Sequence, residues 1–516
     1  MTIASDFDAA QAEREPVLTR AREYAAFTIP AVLPVEGQTE AQEHLRAYQS
    51  VGASGTENLV GRLLVALFPP GVPWWRFLPS AELEADESIP PGYLEAFAVK
   101  LYAREMVVQS KLDSTNYRMA ERSALEDILV AGSSLTQLDD DYRLRRFRFD
   151  RWVQKRDGSA ELLWIITRED KDVTRLSDEH LQKAGLDRAT YEAKDHRERI
   201  KKLYTKIERQ RLGGWVIRQE LNKQTIAERE ESGVCPYFVC GYRESGGEDY
   251  PRGFVEEKIG DLRSLNALAK SGLDCASVMS WILICYDPTK GWRSKDLLKE
   301  SGSVIPGRVN GNIPDGIGIL ESNKARDLAG ILSLAEVIEK RLGRAMLLES
   351  LAQPTGERVT AAQIMRIARE LEGALGGVYA HIAEEMQRPL IGRIVQQMER
   401  DRILEPLPEE LHSAVTTEVL TGIEALGRQL DLDKLLAGIQ LLSTIPGGLD
   451  KLRLEVIADR ILRHLAVDTN GIIKTPEEIQ AELREAAARQ IQGEAASKAI
   501  DTIGNVIEQQ AGKAAA

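Results

Sequence analysis

Two long stretches of helical periodicity, residues 254–282 and 324–348, are separated by a segment that no helix can cross. This limits the fold more than any other feature of the 516-residue chain. In the first stretch, apolar or small residues recur at 255, 259, 262, 265, 268, 272, 276 and 279, the spacing of one helix face. At about 1.5 Å per residue such a helix is roughly 40 Å long. The second stretch carries LAGILSLA at 328–335, with no charge on any face. A helix that is apolar all round is expected to be buried all round. Charged rungs return only afterwards, with Glu336 and Lys340 four apart. The intervening DPTKGW and SGSVIPGRVNGNIPDGIGIL are punctuated by glycine and proline, so short strands and turns are expected over 283–322.

The N-terminal half has a different texture. Residues 8–27 read as a helix that Pro30 and Pro34 forbid to continue. In QSVGASGTENLVGRLLVALFPPGVPWWRFL (49–78), Leu59, Leu63, Ala66 and Leu67 repeat at helical spacing. Gly52, Ala53, Gly55 and Gly61 let another backbone approach closely. FPPGVPWW then ends this helix, and Phe68, Trp74 and Trp75 read as an aromatic plug over a core. Further helices are expected at 91–111 and up to a stop at Gly132. From 142 to 245 the period moves towards two. Strands flank the turn residues Asp157-Gly158, Gly213-Gly214 marks a hairpin, and VCPYFVCGYRES is a buried strand. After the second long helix comes the polar loop SLAQPTGERV (350–359). Thr360 and Gln363 form a capping box opening a helix to about Arg400, which Gly373, Gly376, Gly377 and Pro389 should kink. HSAVTTEVL is a last strand, and 423–516 is expected to be helical. The fold class is therefore α+β, mainly helical.

Charge and chemistry exclude several functions. The formal charge is −13, from 80 acids against 67 bases, the reverse of a chain built to grip phosphates. Basic residues at 143–156 and 194–211 interleave with Phe147, Phe149 and Trp152, and a nucleic-acid-binding virion or host protein using them is the alternative reading. The same alternation is what half-buried strands need, and that reading is preferred. There is no phosphate loop, GIGIL (316–320) lacks the third glycine of a dinucleotide fingerprint, and the six histidines form no metalloprotease motif. His381 and Glu385 share a helix face; with no second histidine they read as a solvated pair rather than a metal site or the centre of a hydrolase. Cys235, Cys240, Cys275 and Cys285 read as buried free thiols. No enzyme activity, cofactor or metal is expected. Neither a signal peptide nor a membrane span is recognised, so a soluble, intracellularly made protein is expected.

Together these segments resemble the portal, or head-to-tail connector, proteins of short-tailed bacteriophages of the autographivirus type. The resemblance rests first on Val51, Gly52, Ala53, Gly55, Asn58, Leu59, Leu63, Ala66, Leu67, Phe68, Pro69, Trp74 and Leu78, with YAAFTIP (24–30) upstream. GDLRSLNAL (260–268), TGERVTAAQIMRIARELEGALGGVYAHIAEEMQRPL (355–390), TGIEALGRQLDLDKL (421–435) and VDTNGI (467–472) follow in the same order. It implies a closed dodecameric ring at one capsid vertex, through which double-stranded DNA is packaged and ejected without its sequence being read. It further implies an α/β wing (1–253), a first stem helix (254–282), an inserted clip (283–322) and a second stem helix (323–349). A tunnel loop (350–359), a kinked helix with a wing strand (360–422) and a helical crown and tail (423–516) complete the set. Gln353, Pro354, Thr355, Gly356, Glu357 and Arg358 would then face DNA. Leu262, Leu265, Leu268, Leu328, Ile331, Leu332, Leu334 and Ala335 would pack the ring, while Gly52, Gly55, Leu59, Leu63, Phe68, Trp74 and Trp75 form the wing core. Implied partners are further copies of the chain, the terminase large subunit, a tail adaptor, the major capsid protein and scaffold, with no membrane. The implied location is the virion, after assembly in the host cytoplasm.

Overall fold

The computed structural model describes residues 2–419 apart from 36, 39–41, 45–46, 71–73, 81–82, 84–92, 212, 281–282, 287–288, 290–308, 311–312, 315–316, 321–324, 349–360 and 408–414. Residues 427–516 group as a separate unit that lies wholly outside the described residues, and the helices and crown expected over 423–516 fall there with it.

Helix α1, Ile3–Phe27, starts earlier than residue 8 because its first turn is well capped. The Thr2 hydroxyl accepts from the Ser5 amide, and the Glu220 carboxylate accepts from the Ile3 and Ala4 amides at 2.6 and 3.1 Å. Midway along, Arg14 enters the core between the rings of Phe149 and Tyr250 and donates to the carbonyl oxygens of Phe149 and Trp152. Burial pushes its pKa down, and these dipoles and π faces replace the water it has lost. Helix α2 (Val51–Leu67) leads through the tryptophans into β1 (Trp75–Pro79). Trp74 and Trp75 are fully buried, and Trp74 meets Phe68 edge-on at 5.2 Å. Burying each ring contributes on the order of 2–3 kcal/mol.

Helices α3 (Tyr93–Asp113) and α4 (Tyr117–Ala131) follow, and α4 stops at Gly132 as expected. The chain then builds two antiparallel sheets. Strands β2 (Ser133–Leu138) and β3 (Leu144–Phe147) form a hairpin, and a later strand joins them. Strands β4 (Trp152–Arg156), β5 (Leu162–Asp172), β6 (Ile200–Arg209), β7 (Trp215–Leu221) and β8 (Gln224–Glu231) make a five-stranded meander in sequence order. Its first turn is held by the Asp157 carboxylate, which accepts from the Ser159 and Glu161 amides; Gly213 and Gly214 make the third. Short helices at Asp178–Lys183, Arg188–Glu192 and His196–Arg199 fill the β5–β6 connection. Strand β9 (Tyr237–Gly241) completes the order β3–β2–β9.

Next come α5 (Phe254–Ser280), the short strands β10 (Leu283–Tyr286), β11 (Val309–Asn310), β12 (Ile313–Pro314) and β13 (Ile317–Leu320), and α6 (Ala325–Ala345). Helices α7 (Ala361–Leu375) and α8 (Gly377–Arg400) replace the single kinked helix expected over 360–400. The break is at Gly376, whose φ of 57° and ψ of −135° suit glycine alone. Pro389 lies inside α8 without ending it. Strand β14 (Val415–Val419) returns to pair with β1, Trp75 opposite Val419. Every ladder among the described strands is antiparallel, so the wing expected as α/β is α+β. The physical reason is that no two neighbouring strands are joined by the helical crossover that parallel pairing needs; even the β5–β6 connection, with its short helices, brings the chain back antiparallel.

Candidate functional site

Helices α5 and α6 run antiparallel. Asp261 pairs with Arg341 near one end, Gly272 faces Ile331 further along, and the β10–β13 ladder, which follows α5 and precedes α6 in the chain, sets Leu283 opposite Leu320. On α6, Ile338, Leu342 and Met346 are buried, while Leu328, Ile331 and Ala335 are half-buried. Leu332, Leu334 and Val337 are 58%, 51% and 61% exposed, and Leu273 on α5 is 57% exposed. LAGILSLA, expected to be buried all round, is therefore only half covered by its own chain. Leu262 and Leu265, assigned above to ring packing, are instead 0% and 4% exposed, in the core of the chain itself. Leu268 packs half-buried on the same core. The reason is position: this half of α5 packs on α1 and α4, and Leu262 approaches Gly52 on α2.

The pair is seated on α2, and the glycines explain how. A Cβ at Gly52 would stand 2.2 Å from the Phe27 carbonyl oxygen and 3.1 Å from Leu262 Cδ2; one at Gly55 would stand 2.1 Å from Met346 Sδ. Hydrogen at these two positions lets the ends of both long helices touch α2. Leu59, Leu63 and Phe68 on and after α2 are fully buried, as are both tryptophans.

The segment 349–360, which includes Gln353–Arg358 and Thr360, lies outside the described residues, but its two flanks are held by the same helix. Before it, Asn58 Nδ2 donates to the carbonyl oxygens of Met346 and Leu347 at 3.0 and 3.1 Å, satisfying acceptors freed at the end of α6. After it, the buried Arg62 donates to Glu370 on α7 at 3.0 Å. Tyr379 and Gln387 on α8 add hydrogen bonds to the Ala66 and Leu67 carbonyls. Arg62 and Glu370 escaped the sequence reading. The available signal was an arginine set within the apolar run of α2.

Most of the basic side chains of 143–156 are paired with acids, while in 194–211 Lys201 and Lys202 stand exposed. Arg145 pairs with Glu169, Arg146 with Asp127, Arg148 with Asp150, Arg151 with Asp170, Lys155 with Asp249 and Arg156 with Glu244. Lys206 and Arg209 likewise meet Asp6 and Glu161. Phe147, Phe149 and Trp152 are buried, so they present no stacking platform. Cys235 and Cys240 are buried free thiols, and burial pushes Cys235 up to about 12, far from thiolate reactivity. Cys275 is half-buried, and the side chain of Cys285 lies outside the described residues.

Residues 1–473 match the family described as bacteriophage head to tail connecting protein. The chain belongs to this family. It is 30% identical to the portal protein of Enterobacteria phage T3, over 94% of this chain and 90% of that one. It is also 30% identical to the portal protein of Escherichia phage T7, over 91% and 88% of the two chains. With the portal protein of Enterobacteria phage SP6 the identity is 27%, over 96% and 95%. Among solved structures, the neck of an empty gene transfer agent particle aligns at a TM-score of 0.36 and 10% identity, covering 76% of this chain and 86% of that one. As a phage portal, the chain is a structural, non-enzymatic component of the virion that connects head to tail at the portal vertex. Its candidate site is accordingly a surface for assembly and not a catalytic pocket.

Proposed function

We propose that copies of this portal close into a ring through the free part of the α5–α6 pair, which serves as the stem around a DNA channel. The observation that carries this reading is the distribution of exposed leucine and valine on α6. At about 100° per residue, Leu332 falls on one flank of the stripe made by half-buried Ile331 and Ala335 and buried Ile338 and Leu342, while Leu334 and Val337 fall on the other. A ring contact is heterologous, so each subunit needs two different apolar surfaces, one for each neighbour. A dimer contact would need one.

On this reading the β10–β13 end is a clip offered to the terminase large subunit during packaging and to a tail adaptor afterwards. Residues 1–253 form the wing, set against the major capsid protein and scaffold, and 423–516 form the crown. The loop containing Gln353–Arg358 faces double-stranded DNA. The surplus of acids fits a conduit: a wall that grips phosphate would slow a sliding polymer. Electron microscopy of the purified chain together with native mass tests the proposal. Rings with a central hole at twelve times the 57.4 kDa chain mass are expected. A monodisperse monomer or dimer across salt and concentration would overturn it.

A further inference from the structure

Three side chains that the connector role leaves unused converge between α8 and the loop after β9. His381 and Glu385 lie one turn apart on α8, with His381 Nε2 3.4 Å from Glu385 Oε2. The fold brings Glu244 to them from the loop that the Arg243–Arg252 bridge closes, and one ligand atom from each of the three lies within 4.8 Å of the others.

We propose that Glu244, His381 and Glu385 form a divalent transition-metal site of the zinc class, which ties α8 to the segment leading into α5. The donors, one imidazole nitrogen and two carboxylates, are of the kinds zinc binds, and three protein ligands would leave a fourth position open. Zinc bonds of about 2.0–2.2 Å place the ligands of a tetrahedron roughly 3.4 Å apart, the separation His381 and Glu385 already have. His381 Nε2 is shut off from solvent and makes no hydrogen bond; its neighbour is Glu385 Oε2 at 3.4 Å, the oxygen with which it would share an ion. Glu385 Oε2 is fixed by the Gly241 amide at 2.9 Å, the type of outer contact that orients a ligand. Glu244 is the exposed and movable arm; Arg156 holds its Oε1 and leaves Oε2 for the ion. Two carboxylates against one guanidinium leave the site one negative charge before the metal enters, which favours a dication.

The test uses the full-length chain in its purified assembly state, stripped with chelator, dialysed, and titrated with zinc chloride. Bound zinc per chain and thermal midpoint are read with and without the ion. One tightly held zinc per chain and a midpoint raised by zinc are expected. Glu244→Gln, which keeps a side-chain oxygen for the Arg156 guanidinium, should weaken that zinc at least tenfold, and His381→Asn should abolish it. Binding that is unchanged in Glu244→Gln and His381→Asn overturns the proposal. So does the absence of tight zinc from a folded wild-type chain.

Discussion

Arg62 on α2 and Glu370 on α7 stand 3.0 Å apart, the arginine side chain wholly buried and the glutamate 26% exposed. This pair joins the helix that seats the long α5–α6 pair to the helix that resumes after the segment 349–360. Removing one member of a buried ion pair costs ~3 kcal/mol or more, because the survivor stays buried without its counter-charge. Glu370→Ala is therefore expected to lower the denaturant midpoint by that order. The double change Arg62→Met with Glu370→Ala should cost less than the sum of the two single changes. Strict additivity would show that the pair is not coupled.

Gly52 and Gly55 should not respond alike to alanine. At Gly52 the added carbon meets the backbone oxygen of Phe27, which no side-chain rotation can move; at Gly55 it meets only the Met346 side chain, its Sδ first and its Cβ and Cγ at 2.9 and 3.0 Å, so the methionine must shift as well as turn. Gly55→Ala is expected to cost about 1–3 kcal/mol, as overpacking does, and to be partly rescued by Met346→Ala. Gly52→Ala should cost more and should not be rescued by Leu262→Ala. Thermal melts of the two single and two double variants decide this, and equal penalties would refute the distinction.

Leu334→Glu and Leu332→Glu place charge on opposite flanks of α6 at positions more than half exposed within the chain. Each is expected to stop ring closure while the subunit keeps its melting temperature within a few degrees, since exposed substitutions typically change stability by ~0.5 kcal/mol or less. Analytical ultracentrifugation read beside circular dichroism separates assembly from folding. Intact rings from both variants would remove α6 from the interface.

Glu121 on α4 is 1% exposed, and burial alone pushes its carboxyl up to about 8. In the unfolded chain the same group ionises near 4.5. Between these values the folded state holds a proton that the unfolded state has released, so stability falls as pH rises from 4.5 towards 8 and is retained on mild acidification. Glu121→Gln should flatten this slope, raising the melting temperature at pH 8 and leaving it nearly unchanged at pH 5. A parallel pair of melting curves across that range would show that Glu121 finds a partner for its charge.

Sequence alone determined the elements whose cause is local. The 3.6-residue period gave α5 and α6, Gly132 ended α4, Asp157-Gly158 and Gly213-Gly214 turned the strands, and the apolar run with its tryptophans marked a buried plug. Each depends on backbone sterics or on periodicity within a few residues, and both are written in order along the chain. Tertiary structure decided what depends on distance. It took Leu262 and Leu265 into the chain's own core and left Leu332, Leu334 and Val337 bare, although all five are equally apolar. It broke the long helix at Gly376 and not at Pro389, and it set Arg62 beside Glu370 and Glu244 beside His381. Burial and pairing are properties of what the folded chain brings near a residue. No local period records which of two identical leucines will meet a neighbour and which will remain uncovered by its own chain.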